Sequence, residues 1–340
     1  MSGFATDAVT ATLTRPLRGT DLVETFTVLR GELGAPHRAA VPLLPDRGPH
    51  AELAARTCAV LESLHADRQP HGWRVTGVAG DDSRQARGLL ASDLNAVADV
   101  LGAESGADSA PVVLTLLGPV SLAATVHVRN GEKLQSDPGA RRDLTESWCA
   151  GIAGLMAALR RNTDGRGAVL VLSEPELDRV LEGTIPTASG YRTLRAVPRP
   201  EVRAALTAAV GACRDAGAAS VVLDAGAAGV HWAPRCGADT VVVPLPSGST
   251  REWEPLAGLR EAGLRLCFDA AGTAAPTPAR AVVDRLLGPW HELGMEPAAL
   301  LGTILAPSSR ISELAPPQLP DALRRVTGAC GALTEACNEG

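Results

Sequence analysis

The sequence predicts an α/β fold, a single TIM (β/α)8 barrel over residues 1–340. Three observations predict it. Six short runs are apolar and rich in β-branched residues, as parallel strands covered on both faces must be, and two more near residues 11 and 40 bring the strand count to eight. The segments between them carry helical periodicity, and no linker divides the chain.

The elements follow in order. "TATL" near residue 11 and "RAAVPLL" near residue 40 supply the first two strands. "GWRVTGVAGDDSR" (72–84) interrupts the alternation as a hairpin or excursion, and a helix is expected over 83–102. "VVLTLL" (112–117), a helix over 138–161 and "AVLVL" (168–172) continue the pattern. "TIPTASGYRTLRAV" (184–197) is an overlong connection, of the kind that lies over the active face of a barrel. Strands "SVVL" (220–223), "TVVV" (240–243), "LRLCF" (264–268) and "GTIL" (302–305) complete the eight. Helices are expected over 199–217, 251–262, 277–294 and 317–336, while "PSGST" (246–250) and "AAGTAAPTP" (270–278) read as surface loops.

Composition narrows the function classes. With 32 basic against 38 acidic residues the net charge is -6, and no basic stripe alternates with aromatics, which argues against a nucleic-acid surface. No run approaches the 18 or so apolar residues of a membrane span, and "MSGFATDAVTATL" lacks the layout of a signal peptide. The expectation is a cytoplasmic protein whose partner is a small molecule or another protein of unknown identity, with no membrane or nucleic-acid role. The seven cysteines (58, 149, 213, 236, 267, 330 and 337) are scattered without a CxxC pair, so no disulfide framework is expected. Cys149 and Cys213 fall in amphipathic patterns as small buried hydrophobes.

One stretch poses the functional question. "VVLDAGAAGVHWAP" (221–234) runs a buried strand into a tip that carries one acid, Asp224, and otherwise little side chain. Together with "GPVSLAATVHVRNGEKLQSDPGARRDLTESWCAGIAGLMAAL" (118–159), "LSEPELDRVLEGTIPTASGYRTLRAV" (172–197) and "HGWRVTGVAGDDSRQARGLLASDLNAVADVLG" (71–102), it resembles small actinobacterial proteins related to the catalytic barrel of cobalamin-independent methionine synthase. The resemblance extends from about residue 10 to 335. It implies a TIM barrel in which zinc binds the homocysteine thiol, lowers its pKa and so activates it toward a folate methyl donor.

The implied ligands are a His-x-Cys after one strand, an acid after the next and a cysteine after the last. At these positions the chain has Asp224 and Gly226, Pro244, and Ser309. The implied Asp-Glu-Pro, whose acid holds the substrate amino group, reads Ser173, Glu174, Pro175, and the implied substrate-binding turn Gly-Ser-x-Pro-Gly aligns with "TRPLRGTD", placing Arg15 and Leu17 at small-residue positions. The expectation is therefore a methionine synthase-like barrel with its zinc site replaced, no metal and no cofactor.

The residues expected at the strand ends are Arg15, Gly118, Ser121, Ser173, Glu174, Asp224, Asp269, Ser309 and Arg310, with Glu174 and Asp224 as candidate catalytic groups and the others, with Glu174, as binding groups. Plainer roles compete: a turn at Gly118-Pro119, a cap on the following helix for Glu174, and a salt bridge from Asp224 to Arg15 or Arg310. His231 and Cys236 could form a relocated metal site with Asp224, although their spacing matches no strong motif. Three functions stay open: a divergent methyltransferase-family barrel, a non-catalytic paralogue that binds a small molecule or a protein, and a metal-free enzyme like uroporphyrinogen decarboxylase.

Overall fold

The computed structural model describes residues 4–102, 110–163, 165–246, 249–271 and 279–339. Strand β1 (Thr10–Ala11) leads into α1 (Leu22–Glu32), whose first turn is capped by the Asp21 carboxylate accepting the Glu24 N–H at 2.9 Å. Then come α2 (Leu53–Cys58), the antiparallel hairpin β2 (His65–Gln69) and β3 (Gly72–Thr76), and α3 (Asp81–Gly102). Strand β4 (Val112–Leu117) is followed by α4 (Pro119–Thr125) and α5 (Pro138–Asn162), and β5 (Ala168–Ser173) by α6 (Leu177–Glu182) and α7 (Arg199–Asp215). The alternation continues through β6 (Ser220–Asp224), α8 (Gly229–Cys236), β7 (Thr240–Pro244), α9 (Thr250–Glu261), β8 (Arg265–Ala271), α10 (Ala279–Glu292), β9 (Ile304–Pro307) and α11 (Leu319–Glu339).

Strands β4 to β9 and β1 form a parallel sheet in the order β1-β9-β8-β7-β6-β5-β4. Residues 38–41 close it into an eight-membered ring. They bridge Thr12 through Arg38 and Val113 through Ala40, both parallel, with Arg38 N–H donating to Ala11 at 2.9 Å and Val113 N–H to Ala39 at 3.0 Å. The predicted TIM barrel is the observed fold. Strands β4 and β5 are buried along their whole length, in keeping with their unbroken apolar sequences.

The closing stave is too short to satisfy the upper end of β4, and side chains from α2 and α5 serve instead. Leu117 N–H donates to the Thr57 hydroxyl at 2.9 Å, while Leu117 C=O accepts the Trp148 indole N–H at 3.0 Å. Outside the stave, Arg47 forks onto Asp93 of α3 at 2.7 and 2.8 Å, and Arg56 lies 3.3 Å from the same carboxylate while donating to the Pro42 carbonyl. Arg56 and Asp93 are both buried, and burial pulls the Arg56 guanidinium down to about 10, against the pull of Asp93.

Two expectations are corrected here. The excursion expected over 72–84 is a hairpin over 65–76, and Asp81 and Asp82 already stand in the first turn of α3, where acids complement the helix dipole. Five helices that the sequence reading did not anticipate (α1, α2, α4, α6 and α8) fill the strand connections. The long connection 184–197 folds back on itself through a bridge between Pro186 and Thr193. Of the two expected surface loops, residues 247–248 and 272–278 lie outside the described residues.

All seven cysteines are free, and six are buried with Cys149 half-buried. No helix among the described residues is long and apolar enough to cross a membrane.

Two predictions follow from packing. Asp93→Asn leaves two guanidinium groups without their counter-charge, so chemical denaturation should show a loss of about 3–5 kcal/mol. A Cβ at Gly151 of α5 would sit 1.9 Å from the Val60 carbonyl oxygen, whereas one at Gly154 meets nothing within 4 Å. Gly151→Ala should destabilise by about 2–3 kcal/mol, while Gly154→Ala should stabilise by up to about 1 kcal/mol through helix propensity.

Candidate functional site

The register of the sheet sets the mouth. Leu117, Ser173 and Asp224 are consecutive partners across β4, β5 and β6, and Pro244 pairs with Asp269 across β7 and β8. The carboxyl ends of these strands therefore place Ser173, Glu174, Asp224 and Asp269 at one end of the barrel, with Arg15 just beyond β1 and Ser309 and Arg310 just beyond β9.

The described side chains separate into two groups. In the first, Arg15 Nη1 lies 3.0 Å from Asp224 Oδ2 and its Nη2 lies 3.5 Å from Asp269 Oδ2. Asp224 is 4% exposed and Asp269 19%. The Arg15–Asp224 contact is ionic but out of line for a hydrogen bond, so Asp224 Oδ2 and Asp269 Oδ1 are buried oxygens with no hydrogen-bond donor among the described residues. Burial pushes both carboxyls above the usual range. Arg15 opposes that shift at each, and the Asp269 charge adds to it at Asp224.

In the second group, Glu174 is withdrawn from the mouth. Its carboxylate, 1% exposed, accepts the Val120 N–H at 3.1 Å and the Ser121 N–H at 2.5 Å. It thus satisfies the open N-terminus of α4, the helix after the neighbouring strand, not the helix that follows it in sequence. Gly118 makes room for it, since a Cβ there would lie 2.1 Å from Glu174 Oε1. The fully buried Ser121 hydroxyl accepts the Glu176 N–H at 3.0 Å, and Ser173 is buried at the end of β5. Gly118, Ser121 and Glu174 therefore meet one another. Burial raises the Glu174 carboxyl to about 7 against the opposing hydrogen bonds from Ser121 and Val120.

Arg310 is exposed, and the Ser309 side chain lies outside the described residues. Cys236 Sγ approaches the Ala233 carbonyl at 3.5 Å, and His231 packs edge-on near Trp232. Among the described residues no three His, Cys, Asp or Glu side chains gather as metal ligands. The positions implied as zinc ligands do not fit that metal. Gly226 has no side chain and Pro244 no donor atom, while the single carboxylate, Asp224, already faces a guanidinium. The arrangement can instead hold a cation or a donor-rich group, because Arg15 balances only one of the two acids. The sequence reading did not anticipate Gln135, a fully enclosed amide on the outer flank; a lone glutamine in a polar stretch carries no signal of burial.

No family model matches the sequence, and no curated protein matches it. The fold does have relatives among solved structures. A B12-independent methionine synthase from Shewanella sp. W3-18-1, in complex with selenomethionine, aligns over 98% of this chain and 100% of its own with a TM-score of 0.59 at 8% identity. A GH113 β-mannanase from Alicyclobacillus acidocaldarius aligns at TM-score 0.44 and 12% identity, covering 99% of this chain and 98% of its own. A morphinone reductase variant in complex with tetrahydroNAD aligns at 0.42 and 13%, covering 96% and 90%. At 8% identity, what the Shewanella structure shares with this chain is the fold.

The Glu174 shift makes a pH prediction. A carboxyl raised from 4.5 to about 7 on folding binds more protons folded than unfolded between those values. Its stabilising contribution is complete below pH 4.5 and is lost as pH rises through about 7. The loss amounts to about 3 kcal/mol. Denaturant unfolding of the wild type and of Glu174→Gln across pH 4.5 to 8 should show a falling stability difference, wild type minus variant; a flat difference would refute the shift.

Proposed function

We propose that the chain is a methionine synthase-like barrel that has left metal-activated thiol chemistry and uses its mouth to bind a small amine-bearing molecule without catalysing methyl transfer. The observation that carries this reading is Arg15, whose permanent charge stands 3.0 Å from Asp224, beside the carboxylate that a zinc ion would need. Without a metal a homocysteine thiol keeps its ordinary pKa near ~8.5 and is mostly protonated at neutral pH. The attacking thiolate is then scarce.

The ligand class comes from charge and hydrogen bonding. One guanidinium faces two acids, which leaves a formal charge of one negative, and one oxygen of each acid has no donor among the described residues. An ammonium supplies three N–H donors and one positive charge. The selenomethionine named with the Shewanella structure is itself an amino acid, which supports an amino acid as the first ligand to test. A uroporphyrinogen decarboxylase-like reading rests on the two arginines of RPLRGTD meeting an acidic substrate, and Arg15 faces Asp224 and Asp269 while Arg18 faces Asp46.

The test combines elemental analysis with calorimetric titration of L-methionine and L-homocysteine. Zinc well below one per chain is expected, together with amino-acid binding that weakens about tenfold or more in Asp224→Asn and Asp269→Asn, and no methionine from homocysteine and a methylfolate. Stoichiometric zinc with methionine formation would overturn the proposal.

A further inference from the structure

We propose that the end of the barrel opposite the mouth carries an anion site, for a small molecule bearing a dianionic phosphate monoester. A cavity of about 670 Å³ opens there, among the loops that enter the amino ends of β6, β7, β8 and β9. That volume falls in the usual range for small-molecule sites. Three guanidinium groups, Arg214, Arg260 and Arg265, line it against one carboxylate, Asp239, which leaves a formal surplus of two positive charges.

Each of these groups is anchored. Arg214 and Arg260 stand in the last turns of α7 and α9, where cations complement the helix dipole. Arg260 donates to the carbonyls of Ala299 at 2.9 Å, Leu264 at 3.1 Å and Leu301 at 2.8 Å. Arg214 spends one nitrogen, on the Gly237 carbonyl at 2.8 Å and on Asp239 at 3.0 Å, and its Nε and Nη1 are uncommitted among the described residues. Arg265, the first residue of β8, is tied to the same place by its N–H, which donates to the Asp239 carbonyl at 3.0 Å. The Asp239 carboxylate is spent within the protein, one oxygen on Arg214 and the other on the Val221 N–H at 2.8 Å.

Like charges held in one concavity call for a counter-ion. Burial pulls the Arg260 guanidinium below its ordinary value and the Arg265 charge adds to that pull, while burial lowers Arg265 against the attraction of Asp239. Guanidinium forks match the oxygens of a phosphoryl group. A phosphate monoester carries nearly two negative charges at neutral pH, so a single group offsets the whole surplus. The way in is open, because Ala218, Ala262, Gly263 and Gly302 bring almost no side chain to the wall. The cavity exceeds a bare phosphate ion and leaves room for a small organic group on the ester. It uses none of Arg15, Asp224 or Asp269, so it stands independently of the ligand proposed for the mouth.

The probes are phenyl phosphate, phenyl sulfate, which keeps the shape with a single negative charge, and phthalate, a dianion whose charge is split between two carboxylates. Binding is measured by titration calorimetry on the full chain, with circular dichroism as the check on folding. The wild type should bind phenyl phosphate about tenfold or more tightly than either other probe. Arg214→Gln and Arg265→Gln should each weaken phenyl phosphate about tenfold, while Arg84→Gln, at an exposed arginine of α3, should leave it unchanged. The Arg214 side chain is 54% exposed, so its variant carries the test even if Arg265→Gln does not fold. Equal affinities for phenyl phosphate and phenyl sulfate, tighter binding of phthalate, or no binding would overturn the proposal. So would phenyl phosphate affinity that survives Arg214→Gln, or an equal loss in Arg84→Gln, which would mark a response to net charge alone.

Discussion

Ring closure is the constraint on which the rest of this molecule depends. Seven of the eight strands pair through extended registers or firm neighbours, but residues 38–41 hold to each side by a single bridge. A mouth exists only if that gap stays shut. The chain shuts it with side chains: the Thr57 hydroxyl on Leu117, the Trp148 indole on the same residue, and the Arg47–Asp93–Arg56 cluster outside. Such polar ties are directional, so they fix the position of the stave where backbone pairing alone would leave it poorly specified.

The mouth inherits its geometry from this closure. Arg15 leaves β1 on one side of the stave, while Asp269 comes from β8, two strands along, and Asp224 from β6, across the ring. Their meeting joins distant parts of the sequence through one guanidinium. Glu174 follows a different logic: it belongs to the strand-end layer by position but serves as the cap of a neighbouring helix. Three acids at one end of a barrel thus have separate tasks, two facing a permanent cation and the third facing backbone N–H groups.

Much of this was legible in the sequence, for identifiable reasons. Buried parallel strands such as "VVLTLL" and "AVLVL" cannot be confused with exposed ones, and long amphipathic helices such as α5, α7 and α11 announce themselves by period. The short helices α2, α4, α6 and α8 have eight residues or fewer, too few turns for a period to show, and their existence rests on caps and tertiary packing. At the site, Asp224 and Arg15 stood out as charges at strand ends. The partner of Glu174 did not, because the backbone it caps lies 53 and 54 positions away and the sequence offers no local trace of it. Gln135 was invisible for the opposite reason, since a polar side chain is ordinarily exposed.

Gly118 and Glu174 occupy one volume between them: the carboxylate stands where the first atom of any side chain at 118 would go. Seen as a path through sequence space, this makes the order of change matter. A lineage that first shortens residue 174 leaves the α4 terminus uncapped but opens room at 118, and a later side chain there could fill it. The reverse order passes through an intermediate in which two groups claim the same space. The glycine and the acid therefore form a one-way latch in descent, and the missing side chain at 118 records the presence of the acid as surely as the acid itself does.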